Sequence, residues 1–400
     1  MSDPRFAGLV EGARVLQPRT VALRRAVHRH PELGLTLPVT QAAVLRALDG
    51  LPLRIRTGTG LSSVVAVLDG GRPGPAVLLR GDMDALPLTE RTGLPYASQV
   101  AAAMHACGHD THVAMLISAA RLLCDRRDAL AGHVIFMFQP GEEGPGGARP
   151  MIDEGLLTAA NTPVHSAFAL HITASNASGV VTCRPGPMMA SSDTFVVRVT
   201  GRGGHGGMPH EAIDPVPAAA AMVGALQTMI TRRVGVAEPA VLTVGKITAG
   251  TTTNIIPGHA VLEGTIRALT ESTRSLVHTE LRRVCEHTGA AYGCQVDVTV
   301  NSGYPVTRND DTIGRHVVDL AKRVLGARHA ETMAHPLMGA EDFAYVLREV
   351  PGALAFLGAS PPGVAPAEAA PNHSDHVVFD ESAMEYGVVM YASYALDALR

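Results

Sequence analysis

The feature that most constrains this chain is a set of apolar runs that end in reactive side chains. "AVLLRGDMDALPL" (residues 76–88) and "GHVIFMFQPGEEG" (132–144) read as buried strands running into carboxylates, and "SAFALHI" (166–172) as a short strand closing on an imidazole. "MHACGHDTHVAM" (104–115) packs a cysteine and three histidines into eight positions, and "NHSDH" (372–376) adds two more histidines in a late loop. Helical spacing of Val113, Leu116, Ile117, Ala120 and Leu123 marks the segment after the cysteine as a helix. Strands alternating with helices through residue 187 predict an α/β fold, a mixed central sheet with helices on both faces. Open sheets of this class collect ligands at their strand ends, where "GDMDALP", "HACGHD", "PGEEG" and "LHI" are all expected to lie.

Four hundred residues exceed what one core usually organises. Near Gly186 the pattern changes to an alternating strand, "TFVVRVTG", then a glycine-rich loop, an Ala-rich helix, two strands around a loop, an amphipathic helix and an edge-type strand, "CQVDVTVNSG". We therefore expect a discontinuous catalytic domain, 1–187 and 305–400, interrupted by a compact inserted α+β domain, 188–304. Net charge is −4 and no Lys/Arg block is present, which argues against a nucleic-acid partner. The longest mostly apolar stretch, 218–226, is too short to span a bilayer, so no membrane association is expected. No secretory signal is visible, and five cysteines without framework spacing suit reduced thiols, so the expected location is the cytoplasm.

Thiolate, imidazole and carboxylate together are the ligand set of Zn²⁺ or a similar divalent ion. Cys107 and His109, in an extended or turn segment, can share a face toward one site. Adjacent carboxylates such as Glu142 and Glu143 are expected to point different ways, leaving one to bind metal and the other to move a proton. Each piece alone has a bland reading: C-x-H arises by chance, "EE" is usually solvated charge, and His171 alone is an ordinary core histidine. Their joint occurrence, in a chain only 18% charged, favours a metal site. "GRGGHG" (201–206) matches G-x-G-x-x-G, but no acidic residue follows at the right distance and the helix is delayed past two prolines, so it is not read as a phosphate loop. Its glycines are expected to hold His205 exposed on a tight loop.

The segments "HRHPELG", "RGDMDALPLTE", "MHACGHDTHVAML", "FQPGEEGPGGARPMIDEG", "GRGGHGGMPHEAIDPV", "TTTNIIPG", "GTIR" and "MGAEDFAYV" occur in one order from about residue 25 to 390. In this the chain resembles the amidohydrolase branch (hippurate hydrolases, aminoacylases, auxin-conjugate hydrolases) of the dinuclear-metal aminoacylase and carboxypeptidase-G-type peptidases. The resemblance implies a zinc-peptidase-like catalytic domain with a lid and dimerisation insert, and a homodimer that hydrolyses a small N-acyl amino acid. It implies two divalent ions per subunit (Zn, Mn, Co or Ni) held by Cys107, His109, Glu143, His171 and His373, with Cys107 bridging and His376 as the alternative late ligand. Glu142 is implied as general base, Asp84 as an orienting group, His205 as an oxyanion stabiliser acting across the dimer, and Asn254 and Arg267 as holders of the substrate carboxylate. Carboxypeptidase-type branches resemble the chain less, carrying H-x-D where it has "DMD". A dipeptidase or carboxypeptidase, or a non-catalytic relative, are the alternatives. "HITASNASG" (171–179) lacks the two prolines common after the strand histidine, a difference that bears on the acyl pocket.

Overall fold

A computed structural model describes residues 4–400. The chain separates into two compact units, one comprising residues up to Gly186 with Arg308–Ala334 and Asp342–Arg400, the other Pro187–Thr307 with His335–Glu341.

The first unit is built on an eight-stranded mixed sheet, in the order Leu53–Thr57, Val64–Asp69, Ala131–Gln139, Arg72–Asp82, Val164–Thr173, Gly352–Gly358, Val181–Cys183, Ala330–Thr332. Its four middle members, from Ala131–Gln139 to Gly352–Gly358, run parallel to one another. Residues 76–82, 134–139, 166–172 and 352–358 of these strands are continuously buried because both faces are covered there, which is why the sequence shows apolar runs and no alternation. The helix His109–Cys124 is buried at every position but Arg121 and packs against the helices Leu9–His28 and Met384–Ala398 and the strand Arg72–Asp82. The α/β class read from the sequence is the observed one.

Parallel strands deliver their carboxyl ends to one edge. Asp82 pairs with Gln139, and Thr173 with Gly358. The chain leaving each of these ends therefore emerges in one neighbourhood. "HACGHD" reaches that edge differently from the sequence expectation. It follows no strand; an irregular segment leads into it, and His109 is the first residue of the helix His109–Cys124. Gly108 makes this entry possible, with φ of 82° and no room for a side chain: a Cβ there would lie 2.4 Å from Ile172 Cγ2 and 3.0 Å from Phe379.

The second unit has a four-stranded antiparallel sheet, in the order Ala240–Ala249, His259–Ala268, Asp193–Thr200, Gln295–Ser302. Asp193–Thr200 alternates buried and more exposed residues, the signature of a sheet with one covered face. Phe195, Val197 and Leu262 form a separate core with Met222 and Leu226 of the helix Pro215–Arg233 and Val277 and Leu281 of the helix Glu271–Ala291. Asp214 and Thr270 cap these helices by accepting from the Val216 and Thr273 backbone N–H groups. Among the described residues, no helix is long and apolar enough to cross a membrane.

Because the left-handed backbone and the tight packing both act at Gly108, Gly108→Ala is expected to cost about 2–4 kcal/mol. A lowered urea midpoint in equilibrium unfolding checks this.

Candidate metal centre

Cys107 Sγ lies 3.4 Å from His171 Nε2 and 3.3 Å from His373 Nε2. His373 Nε2 is 3.1 Å from Glu143 Oε1, and His109 Nε2 is 3.9 Å from the same oxygen. The donor atoms form two groups, Cys107 with His109 and His171, and Cys107 with Glu143 and His373, each spanning no more than 4.8 Å. Cys107 is common to both.

Backbone contacts aim each candidate ligand. His109 Nδ1 is 2.9 Å from the Asp84 carbonyl and His171 Nδ1 is 2.8 Å from the Ile172 carbonyl. A carbonyl can only accept, so both Nδ1 atoms donate, and in the neutral imidazole each Nε2 keeps the lone pair a metal requires. His373 sits at φ 70°, a conformation that non-glycine residues adopt rarely and at a cost. Its N–H donates to the Ala106 carbonyl, and neighbouring Asn372 bonds the Ile172 carbonyl at 3.0 Å and the Cys107 carbonyl at 3.3 Å. The late loop is thus tied to both segments it joins.

The Asp84 carboxylate accepts the backbone N–H of Glu142 at 3.0 Å and of Glu143 at 2.9 Å. This hold corrects the expectation that the two glutamates diverge. Their carboxylate oxygens and a His109 nitrogen all lie within 4.8 Å of one another.

Electrostatics follow from burial and crowding. The hydrogen bonds from His373 to Cys107 and Glu143 push its pKa up to about 10. Burial alone lowers that of His109, but Asp82 and Cys107 beside it hold it well above the ordinary histidine value. Burial, reinforced by His112, lowers His171 to about 3. Burial raises the Cys107 thiol, with Glu143 adding to the effect. A site that stabilises positive charge on two of its histidines is one that welcomes a cation. His109 Nε2 is moreover buried without a hydrogen bond. The spacings match those between ligands about 2.0–2.3 Å from a shared ion, and the donors are the types that divalent transition metals take. The residues fit a pair of such ions.

Of the residues singled out from sequence, Asp84, Cys107, His109, Glu142, Glu143, His171 and His373 are brought together here. His376 is not. It is exposed, and its nearest acidic neighbour is Asp375, at 3.8 Å. His205, Asn254 and Arg267 belong to the second unit. His205 is exposed on the short strand Gly204–His205, paired with Ile255, and Gly206 donates its N–H to the Asn254 carbonyl, so His205 and Asn254 share one ribbon. Arg267 is half-buried in the strand His259–Ala268, where burial lowers its pKa. Sequence reading missed Asp82 and His112. Both are fully buried and bonded to each other, and Asp82 Oδ2 lies 3.3 Å from His109 Nε2. The available signal was the first aspartate of "GDMD" and the i+3 spacing of His109 and His112 on one helix.

The sequence pattern of peptidase family M20/M25/M40 matches residues 78–397. The chain belongs to this family. Thermostable carboxypeptidase 1 of Saccharolobus solfataricus is 37% identical over 392 residues, 97% of each chain. N-acetyl-L-cysteine deacetylase of Bacillus subtilis is 38% identical over 343 residues, 86% of this chain and 81% of its own. A solved Bacillus subtilis structure, described as a dinuclear metal-binding peptidase of the M20 family, superposes with a TM-score of 0.83 at 32% identity, covering 96% and 99%. As an M20 protein the chain is an amide-hydrolysing enzyme. A relative named a carboxypeptidase aligns as well as one named a deacetylase, so overall similarity does not separate those branches as the "DMD" segment was expected to.

Two expected outcomes follow from the ligand geometry and the buried histidines. Cys107→Ala is expected to lower the number of divalent ions retained after dialysis, read by elemental analysis, and His376→Ala to leave it unchanged. His105 is fully buried, with neither ring nitrogen hydrogen-bonded, and burial pushes its pKa from 6.5 down to about 3. Unfolding therefore takes up a proton, so this contribution is present above pH 6.5 and is lost as pH falls toward 3. In the metal-free protein His105→Phe is expected to flatten the acid-side fall in unfolding free energy by up to about 1.4 kcal/mol per pH unit; urea titrations from about pH 5 to 7.5 check it.

Proposed function

We propose that this enzyme hydrolyses the amide bond of an N-acyl amino acid, releasing a carboxylic acid and the free amino acid. The observation that carries the reading is the juxtaposition of Glu142 with a donor set that shares Cys107 between two groups. Two divalent ions, when bound, polarise the amide carbonyl and acidify water. Cys107, His109, Glu143, His171 and His373 would hold these ions, Cys107 belonging to both donor groups. Glu142, 5% exposed and held by its backbone to Asp84, removes a proton from the attacking water and returns it to the departing nitrogen. The proton balance closes without any other acid. Asp84 fixes the glutamate turn and the His109 ring together, so it acts through its neighbours.

The second unit supplies the remaining roles. His205 stabilises the developing oxyanion in the active site of a second copy, and Asn254 and Arg267 hold the substrate's carboxylate. Its exposure on its own unit leaves His205 available for that service. The unit is thus lid and dimer surface, and the enzyme a homodimer.

A carboxypeptidase and an N-acyl amino acid hydrolase both cut an amide whose nitrogen belongs to an amino acid with a free α-carboxylate. They differ only in what lies on the acyl side. The similarity to a named carboxypeptidase makes short peptides the competing substrate class, and one assay separates the two.

Free-amine release from acetyl, benzoyl, long-chain and indole-acetyl amino acids, alongside dipeptides, is to be measured metal-loaded and chelated. Chelator-sensitive cleavage of an acyl conjugate, with dipeptides untouched, is the expected result; cleavage confined to dipeptides overturns it. Glu142→Gln is expected to retain metal and lose turnover by ~10²–10⁴-fold. Mixing His205→Ala with Glu142→Gln subunits is expected to restore part of the activity, and failure in mixed dimers shown to form places His205 in its own subunit's site.

A further inference from the structure

Beneath the ligands lies a second buried layer that none of the assigned roles uses. Arg80, Asp82, Gln139 and Asp342 are each fully buried, though two are acidic and one is a full guanidinium. Gln139 Nε2 donates to Asp342 Oδ1 at 2.7 Å and Oδ2 at 2.8 Å, and the Ala148 N–H donates to Oδ2 at 2.9 Å. Gln139 is the last strand residue before the turn that carries Glu142 and Glu143, and Ala148 opens the helix that follows it. One carboxylate therefore pins both ends of the glutamate turn, while Asp84 holds its middle.

Arg80 joins that clamp to the other half of the site. Its Nε donates to Gln139 Oε1 at 2.9 Å, one terminal nitrogen meets Asp342 Oδ1 at 3.2 Å, and the other meets Asp82 Oδ2 at 2.8 Å. Asp82 in turn bonds His112 Nδ1, and His112 Nε2 accepts the Ile172 N–H at 2.7 Å, next to His171. A single guanidinium thus spans the carboxylate that anchors the base-bearing turn and the carboxylate that sets the histidines.

We propose that Asp342 and Arg80 are positioning residues for the reaction, placing Glu142 and Glu143 relative to the histidine ligands. This rests on Glu142 being the general base. A merely structural ion cluster is the competing account, since buried pairs are weak evidence for stability on their own. The two accounts differ in what a charge-removing, shape-conserving change does: a structural role moves melting, whereas positioning moves kcat, because displacement of a reacting group by about 1 Å can cost ~100-fold.

The test uses the full-length, metal-loaded enzyme with an N-acyl amino acid that the wild type cleaves. Asp342→Asn is expected to lower kcat by ~10–100-fold with KM within ~3-fold. Hydrogen exchange is expected to quicken across residues 140–148 while the central strands stay protected. Unchanged kcat, unchanged exchange in that turn, or a fall in melting temperature with full activity in the folded fraction overturns the proposal. Gln139→Met, which removes the bridging amide at similar volume and no change of charge, decides the matter by the same criteria if Asp342→Asn does not fold. Glu142→Gln is run beside them. Substantial turnover in that variant defeats the general-base reading, whereas loss of turnover there with an indifferent Asp342→Asn defeats only the positioning proposal.

Discussion

Everything at the reactive edge of the first unit depends on keeping the Asp82 carboxylate ionised at full burial. Burial by itself raises its pKa, but Arg80, His109 and His112 surround it closely enough to hold it well below the usual carboxylate range. Each partner is a structural lever. Arg80 leads to the strand end that feeds the glutamate turn, His109 is the start of the buried helix, and His112 accepts a backbone hydrogen bond from the strand that carries His171. An ionised group in a low-dielectric interior must be neutralised by specific geometry, and here that geometry is what aligns three separate segments of chain.

The candidate ligands are held in a similar way. Both His109 and His171 commit Nδ1 to a backbone carbonyl, so the fold itself sets which ring nitrogen is left to face the other donor atoms. His373 is held in a left-handed conformation by a bond to Ala106 and, through Asn372, by bonds to Cys107 and Ile172. Strain at a residue this constrained persists because the surrounding contacts over-determine it. The pull of Cys107 and Glu143 on the His373 imidazole pushes its pKa up to about 10.

Much of this was legible in the sequence, for identifiable reasons. Long apolar runs ending in polar clusters disclose parallel strands and their ligand-bearing ends, because burial on both faces removes the alternation of a half-exposed strand. Cys107, His109 and the glutamates stand out as reactive types against a background sparing in charge. What stayed hidden depends on tertiary contact. The helical start at His109 requires Gly108 to pack against Ile172, a residue on the strand Val164–Thr173 and far along the chain. The shared direction of Glu142 and Glu143 comes from Asp84, and no local rule of adjacent side chains anticipates it. Asp82 and His112 escaped notice because a buried aspartate at a strand end and a histidine one turn into a helix look like ordinary core polarity until their partners are seen.

The strand Gly352–Gly358 lies between Val164–Thr173 and Val181–Cys183, in the interior of the sheet, although it comes far later in the sequence than either neighbour. A ribosome making this protein therefore releases a long stretch whose sheet still lacks an inner member. Until that strand arrives, Val164–Thr173 presents an unpaired, apolar edge, the kind of surface that recruits wrong partners. His373 follows still later. The reactive edge is therefore assembled late, once the chain has been made as far as His373, and a nascent chain cut short before this strand carries the exposed edge and lacks one of the clustered donors.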